Sequence, residues 1–363
     1  MWQKISLWAQ TYERYLSALA MIAGFVADNL FFTRVDLLQT QLLFAFYAVV
    51  CFVSVPLLHA LEARQPAPDA PRSGLRLILP FVTQFALGGF WSGFVIFYSR
   101  SAELGSSWPF ILLIVLVFLG SEYFHRYHTR LVFTSVLFFF ALYSGAIFIL
   151  PIYTHAIGTV TFLESGAVAV ALFAFFTILL RLVAPQHFYH DVWRIRAGAL
   201  TVLVAMNLFY FTNILPPLPL SAIAAGVYHE VQRVPGSYIA TSETGQSWAV
   251  QYLGFAPTLH ILFGEPVAAY SSVFAPTSLT TKVAHRWQHY DTAKKEWVTM
   301  SVISYPIVGG RDGGYRGYSV LPLSEAGEWR VNIETSDGRL IARLPFVVEI
   351  VSASPATETV TLK

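Results

Sequence analysis

Residues 197–221 read AGALTVLVAMNLFYFTNILPPLPLS, and this stretch divides the chain. Ala197 to Leu215 holds no charged side chain. About 20 apolar residues in a helix cross a hydrocarbon layer of about 30 Å, because each backbone N–H and C=O finds its partner inside the helix. Pro216, Pro217 and Pro219 are expected to stop that helix. Beyond them hydrophobic residues alternate instead of running on, and turn residues recur about every ten positions.

Toward the N-terminus the apolar pattern repeats, with charged residues as fence posts. Arg14 to Arg34 encloses YLSALAMIAGFVADNLFFT, broken only by Asp28. A charge-free run fills Asp36 to Glu62. Arg76 to Arg100 encloses LILPFVTQFALGGFWSGFVIFYS, and Glu103 to Glu122 encloses WPFILLIVLVFLG. LVFTSVLFFFALYSGAIFIL follows Arg130, and GAVAVALFAFFTILL precedes Arg181, extendable back to Thr159. With Ala197–Leu215 these make seven expected spans. Residues 1–220 are therefore expected to be a polytopic α-helical membrane bundle whose partner is the lipid bilayer.

Lys and Arg in the short flanking segments set the orientation. Lys4, Arg14, Arg64, Arg72, Arg76, Arg126, Arg130, Arg181, Arg194 and Arg196 fall on one side, and only Arg34 and Arg100 on the other. That bias places the N-terminus in the cytoplasm and, after an odd number of spans, the C-terminal part outside. Trp2, Ile5, Leu7 and Trp8 make an amphipathic start that anchors at the interface, without the small-residue pattern of a cleavable signal.

The charge distribution agrees with this division. Charged residues make up 12% of the chain, against about 25% in ordinary soluble proteins. Residues 225–363 hold 11 of the 23 basic and 12 of the 21 acidic side chains, a normal soluble density. A net charge of +2 argues against a nucleic-acid partner. With Cys51 as the single cysteine, neither an intramolecular disulfide nor a cysteine-based metal cluster can form.

In the C-terminal part EWRVNIET alternates, with Trp329, Val331 and Ile333 to one side and Glu328, Arg330, Asn332 and Glu334 to the other. Ser336-Asp337-Gly338-Arg339 is a hairpin signal. In the return strand LIARLPFVVEI, Leu340, Ala342, Leu344, Phe346 and Val348 are expected to point inward. Further strands are expected at 237–241, 248–252, 260–263, 267–274, 283–290 and 297–305. Seven or eight short strands fit an all-β immunoglobulin-like sandwich over 221–352, without an antibody-type cysteine pair. Residues 353–363 read as a polar, flexible tail.

Several of these segments resemble a known family. GVYHEV after the last helix, HRW at 285–287, GGRDGGYRGYS and GEWRVNIETSDGRLI are similar to domain-of-unknown-function family 2914 of bacteria. SEYFHRYHTRLVF is similar to the membrane half that commonly precedes that domain, so the resemblance covers most of the chain. It implies architecture and a bacterial inner membrane, with the outer domain periplasmic. That family has no established activity from which a residue's role could be carried over.

Candidate sites follow from residue chemistry. Gly309 to Ser319 is a Gly-rich stretch without the ending of a phosphate-binding Walker loop. Its Arg311, Tyr315, Arg316 and Tyr318 suit a sugar or anionic polymer, by stacking and charge-assisted hydrogen bonds. The competing expectation is a hairpin whose glycines take positive φ and whose tyrosines pack on the sandwich. Glu122 and His125 lie one turn apart, with His128 beyond, and suit either a metal or an ordinary polar helix end. His187-Phe188-Tyr189-His190-Asp191 is read as a short cytoplasmic loop with two potential zinc ligands. Asp28 is an ionisable group within a span, costly and so functional by default, unless it pairs with Arg34 or Arg100. No catalytic or cofactor motif of high specificity is present. The expected function is a membrane-anchored periplasmic module that binds an envelope glycan or partner protein. The alternative is a membrane enzyme or a lipid or solute transporter working through the helices, since seven spans exceed what a tether needs.

Overall fold

The computed structural model describes residues 25–26, 28–63, 74–101, 104–123, 131–217, 219–244, 256–276, 279–311 and 313–362. They fall into two compact units: the second takes the chain from Pro216 on, with the segments Arg100–Ser107 and His155–Gly158, and the first takes the rest. Trp2, Trp8 and the expected strand at 248–252 lie outside the described residues.

The first unit is helical: α1 Leu38–Ala63, α2 Gly74–Ser101, α3 Leu104–Tyr123, α4 Leu131–Thr154, α5 Thr159–Val183 and α6 Pro185–Phe211. Among the described residues five helices are long and apolar enough to cross a membrane, where seven spans were expected. Most of the first expected span lies outside the described residues. The fourth is represented by the shorter apolar stretch Ser107–Gly120 of α3. α3 as a whole runs 20 residues, about 30 Å at 1.5 Å per residue, a length that matches a hydrocarbon layer.

α4 is the buried centre of this unit, with 72% of its apolar window covered, whereas α6 is only 11% covered. The interior is aromatic. Phe44 stacks on Phe90, Phe94 and Phe148, and Tyr98 meets Phe110 and Phe148 edge-on. Small residues allow this approach: a Cβ on Gly93 would strike the Phe44 ring, and one on Gly166 the Tyr143 hydroxyl.

Two expectations about α6 change. His187 to Asp191 are helical, because Pro185 supplies a pre-set φ at the first turn and the helix begins there instead of after a loop. At the other end the helix stops at Phe211, before the prolines. Asn213 is left-handed at φ 57°, its N–H bonds Tyr210 O, and the Ile214 N–H bonds Phe209 O. This paired 6→1 and 5→2 arrangement satisfies the last carbonyls.

The second unit is all β: β1 Ser221–Tyr228, β2 Glu230–Val234, β3 Ser237–Glu243, β4 Thr258–Ile261, β5 Pro266–Phe274, β6 Thr280–Asp291, β7 Glu296–Val308, β8 Tyr315–Pro322, β9 Gly327–Thr335, β10 Leu340–Ile350 and β11 Thr357–Leu362. A five-stranded sheet runs β4-β10-β9-β6-β7, with β4 and β10 parallel. Two three-stranded sheets run β1-β5-β8 and β11-β3-β2.

β5 shows why there are three layers instead of the two of a simple sandwich. Every residue from Val267 to Phe274 is buried, so neither face meets water. Val267, Ala269 and Val273 face the five-stranded sheet, in two clusters with Trp287, Trp329, Val331, Ile333, Phe346 and Val348. Ala268 and Tyr270 face the opposite way and pack with Val231, Ala240 and Leu362 of the third sheet. The middle sheet thus forms a wall of two cores. Residues 353–363, expected as a flexible tail, instead supply β11, paired with β3 from Thr357 to Leu362. Its short alternating pattern is weak in isolation and is fixed by an edge that already exists.

The β9–β10 hairpin turns through Gly338 at φ 80°, with the Gly338 N–H on Thr335 O. A bulge between Leu340 and Ala342 shifts the alternation. Ile341 therefore enters the core, with Leu340 left half-buried, before Phe346 and Val348 resume the inward pattern.

Candidate functional site

Strand β8 separates the four residues expected to form one binding surface. Tyr315 packs half-buried on the core facing the five-stranded sheet. Arg316 and Tyr318 lie on the other side, beside Tyr238: the Tyr238 hydroxyl donates to Arg316 O, and its ring meets Tyr318 edge-on. Tyr318 is exposed, as is Arg311, whose guanidinium sits 5.1 Å from the Tyr315 ring centroid. The glycines serve folding: a Cβ on Gly309 would overlap the Pro276 carbonyl, and Gly310 and Gly314 take φ of 89° and 74°. The stretch is mainly a clasp, and its four polar residues do not converge.

A different set converges on the outer face of the five-stranded sheet. Asn332 of β9 stands between Arg286 of β6 and Arg343 of β10 in register, and Arg330 of β9 stands beside Gln288 of β6. Alternation forces these side chains outward, because Trp329, Val331 and Ile333 go inward. Each arginine is held through its Nε–H: Arg286 donates to Glu334 at 2.8 Å, Arg330 to Gln288 Oε1 at 2.8 Å, and Arg343 to Asn332 Oδ1 at 3.0 Å. The acceptors Glu334, Gln288 and Asn332 are buried beneath the arginine stems. Asn332 also donates to Gln288 and Glu334, closing the network.

Aromatic residues border this network. The Arg330 guanidinium lies 4.1 Å from the Trp297 ring centroid, and Trp297 meets Tyr290 at 5.2 Å. Burial, and then the like charge of Arg343, lower the pKa of Arg330 from its usual value, partly offset by Glu334. The group remains a cation at neutral pH. Glu334 is the carboxylate within the cluster. Glu328 lies further along the same face of β9, and Glu349 of β10 pairs with His260 at 3.5 Å. The clue in the sequence was the outward set Arg330, Asn332 and Glu334; what it lacked was the register that aligns Arg286 and Arg343 with them.

Two further polar clusters are internal. His285 of HRW is fully buried, 2.8 Å from both Ser271 Oγ and Ser319 Oγ, with the Tyr305 hydroxyl at 3.1 Å. Burial pushes its pKa down to about 4, so the ring is neutral. It joins layers and has no path to a substrate. Glu243, at the end of β3, accepts from the His260 N–H at 2.6 Å and lies 2.9 Å from His260 Nδ1 and 3.0 Å from His229 Nε2. Burial alone would raise the Glu243 pKa, but these hydrogen bonds hold it below the ordinary value. Among the described residues no His, Cys, Asp or Glu group has a metal-holding arrangement.

Of the intramembrane candidates, the Glu122 side chain and all of His125 lie outside the described residues. Asp28 is half-buried. Arg34, one expected partner, is held bidentately by Asp36 at 3.0 and 2.6 Å. The helical unit also carries an apolar groove of about 280 Å³ between α4, α5 and α6, lined by Phe139, Phe173, Thr177, Ile195 and Leu203, with Arg196 as its charged residue.

The family described as "Protein of unknown function (DUF2914)" matches residues 280–348. The match takes in HRW, the Gly-rich stretch, the β9–β10 hairpin and every arginine of the sheet-face cluster. It leaves out GVYHEV and the helices, so the likeness is to the C-terminal β-region alone. No curated protein matches. Among solved structures, an immunoglobulin-like protein from Pseudomonas aeruginosa is similar at 13% identity and a TM-score of 0.21, over 36% of this chain and 98% of that one. An alkylpurine DNA glycosylase from Pseudomonas fluorescens, bound to DNA with an abasic-site analogue, is similar at 10% identity and a TM-score of 0.23, over 85% and 99%. At scores this low neither likeness bears on what the chain does.

Proposed function

We propose that this protein is a binding module anchored in a bacterial inner membrane, its N-terminus cytoplasmic and its β-domain periplasmic, where it holds an envelope glycan. The observation that carries this reading is the open face of the five-stranded sheet. Guanidinium groups fixed from below and bordered by Trp297 and Tyr290 make a rigid recognition surface. Rigid aromatic and arginine side chains lose little entropy on binding, which suits recognition more than catalysis. Five long apolar helices and the ten-to-two distribution of Lys and Arg support the membrane setting.

The test is co-sedimentation of the full-length protein, in nanodiscs, with purified cell-wall glycan strands. Retention should fall in Trp297→Ala and Arg330→Ala and persist in Arg311→Ala. Equal retention of all three variants, or none by the wild type, would overturn the reading.

The groove beside Arg196 favours a second reading, in which the helical unit handles lipid. Its apolar lining suits an acyl chain and its arginine a phosphate. Lipid exchange between vesicles that persisted after Arg196→Gln and Leu203→Trp would remove it.

A further inference from the structure

We propose that the ligand of this sheet face is an acidic polysaccharide, with Arg286, Arg330 and Arg343 taking separate carboxylates and Trp297 stacking on a sugar ring. The inference rests on the binding function above and specifies its chemistry.

In each arginine the hydrogen bond uses Nε, and among the described residues the Nη groups have no hydrogen bond. The planar Nη ends therefore remain available, already oriented, for the paired oxygens of a carboxylate. Anchoring through Nε removes much of the rotamer entropy that binding would otherwise cost.

Against three guanidinium groups stands one carboxylate in the network, Glu334, which of the three accepts from Arg286 alone. Arg330 is also partly desolvated and next to Arg343, so an incoming anion relieves repulsion present in the free protein.

Arg286 and Arg343 flank Asn332 from adjacent strands, which sets them about 10 Å apart, and Arg330 lies about 7 Å along β9 from Asn332. No single carboxylate spans that triangle, whereas a chain bearing an acid on successive units does. The Trp297–Tyr290 pair and the exposed Thr299 hydroxyl add groups that pair with sugar rings and hydroxyls.

The experiment uses the full-length chain in zwitterionic nanodiscs, titrated with hexagalacturonate and, separately, with neutral maltohexaose. Hexagalacturonate should bind, and binding should weaken as NaCl rises to about 0.5 M. Arg330→Gln/Arg343→Gln should lose about tenfold or more in affinity. Arg343→Lys keeps the charge but not the fork and should lose an intermediate amount, which covers failure of the double variant to fold. Arg311→Gln should bind as wild type. If maltohexaose binds as tightly and the double variant keeps it, the acidic chemistry is wrong while glycan binding stands. If sulfate alone competes as well as the hexamer, the polymeric ligand is wrong. Binding of neither saccharide overturns both proposals.

Discussion

His285 on β6 and Ser319 on β8 are joined by a 2.8 Å hydrogen bond that crosses from the five-stranded sheet to the middle sheet. Ser319 Oγ also accepts from the Trp287 Nε1–H at 3.0 Å. Ser319 Oγ is thus the shared partner of Trp287 and His285. On the other side of the ring, Nε2 faces Ser271 and Tyr305.

Ser319→Ala should therefore cost more than Ser271→Ala. The first removes the partner of both Trp287 and His285, at roughly 2–4 kcal/mol. The second leaves Tyr305 beside Nε2 and should cost roughly 1–2 kcal/mol. Urea unfolding of the β-domain compares them, and equal costs would refute the role of Ser319 as the shared partner.

The same histidine sets an acid limit. Its folded pKa of about 4 lies below the ordinary 6.5, so between these values the unfolded chain binds the extra proton. Stability is complete above about pH 6.5 and falls as pH drops toward 4, by about 3 kcal/mol at most. His285→Gln should flatten that part of the stability–pH curve.

Glu243 and His260 add a second dependence. The hydrogen bond with Glu243 raises the His260 pKa, so its contribution is full below pH 6.5 and is lost as pH rises through the raised value. The Glu243 pKa is lowered, so its contribution holds above about pH 4.5 and is lost as pH falls through the lowered value. The pair is strongest in mild acid. Glu243→Gln should abolish the decline toward neutral pH, read by thermal melts at pH 5.5 and 8.

Residues 216–362 should fold alone, whereas 226–352 should not. The shorter fragment cuts β1 and deletes β11, baring the Ala268–Tyr270 face of β5. Circular dichroism and cooperative urea unfolding distinguish them. Within the longer fragment Trp329→Ala should cost about 3–5 kcal/mol, since the ring is 2% exposed and its N–H bonds Glu325 O. A cost below about 0.5 kcal/mol would mean the ring is not in the core.

Orientation is tested by reporter fusions. A reporter active only in the periplasm should give signal at Lys363 and none at Ala67. The opposite pattern would reverse the topology and remove the periplasmic setting from the proposed function.

The division into apolar helices and alternating strands was legible because each rests on local periodicity. Trp329, Val331 and Ile333 were placed inward from EWRVNIET alone, and they are buried. β1, β2, β8 and β11 were not among the expected strands; β2 and β11 are short and partly polar, and gain meaning from pairing with β3. The sheet-face arginines were hidden for a related reason. Arg286 and Arg330 are 44 positions apart, and only register brings them to one face. The Gly-rich stretch drew attention by composition, yet Gly309 is explained by close carbonyl approach and Gly310 and Gly314 by positive φ.

The two-sided burial of β5 has a mechanical meaning. A floor shared by two rooms cannot be lowered in one without changing the ceiling of the other. A side chain shortened at Val267 shifts the same backbone that seats Ala268 and Tyr270, so a cavity opened against Trp287 should register as altered fluorescence or packing around Tyr238. For evolution this makes the strand a place of joint constraint. Substitutions in the β2-β3-β11 layer and in the Trp287–Trp329 layer are not independent, although those layers do not share a core.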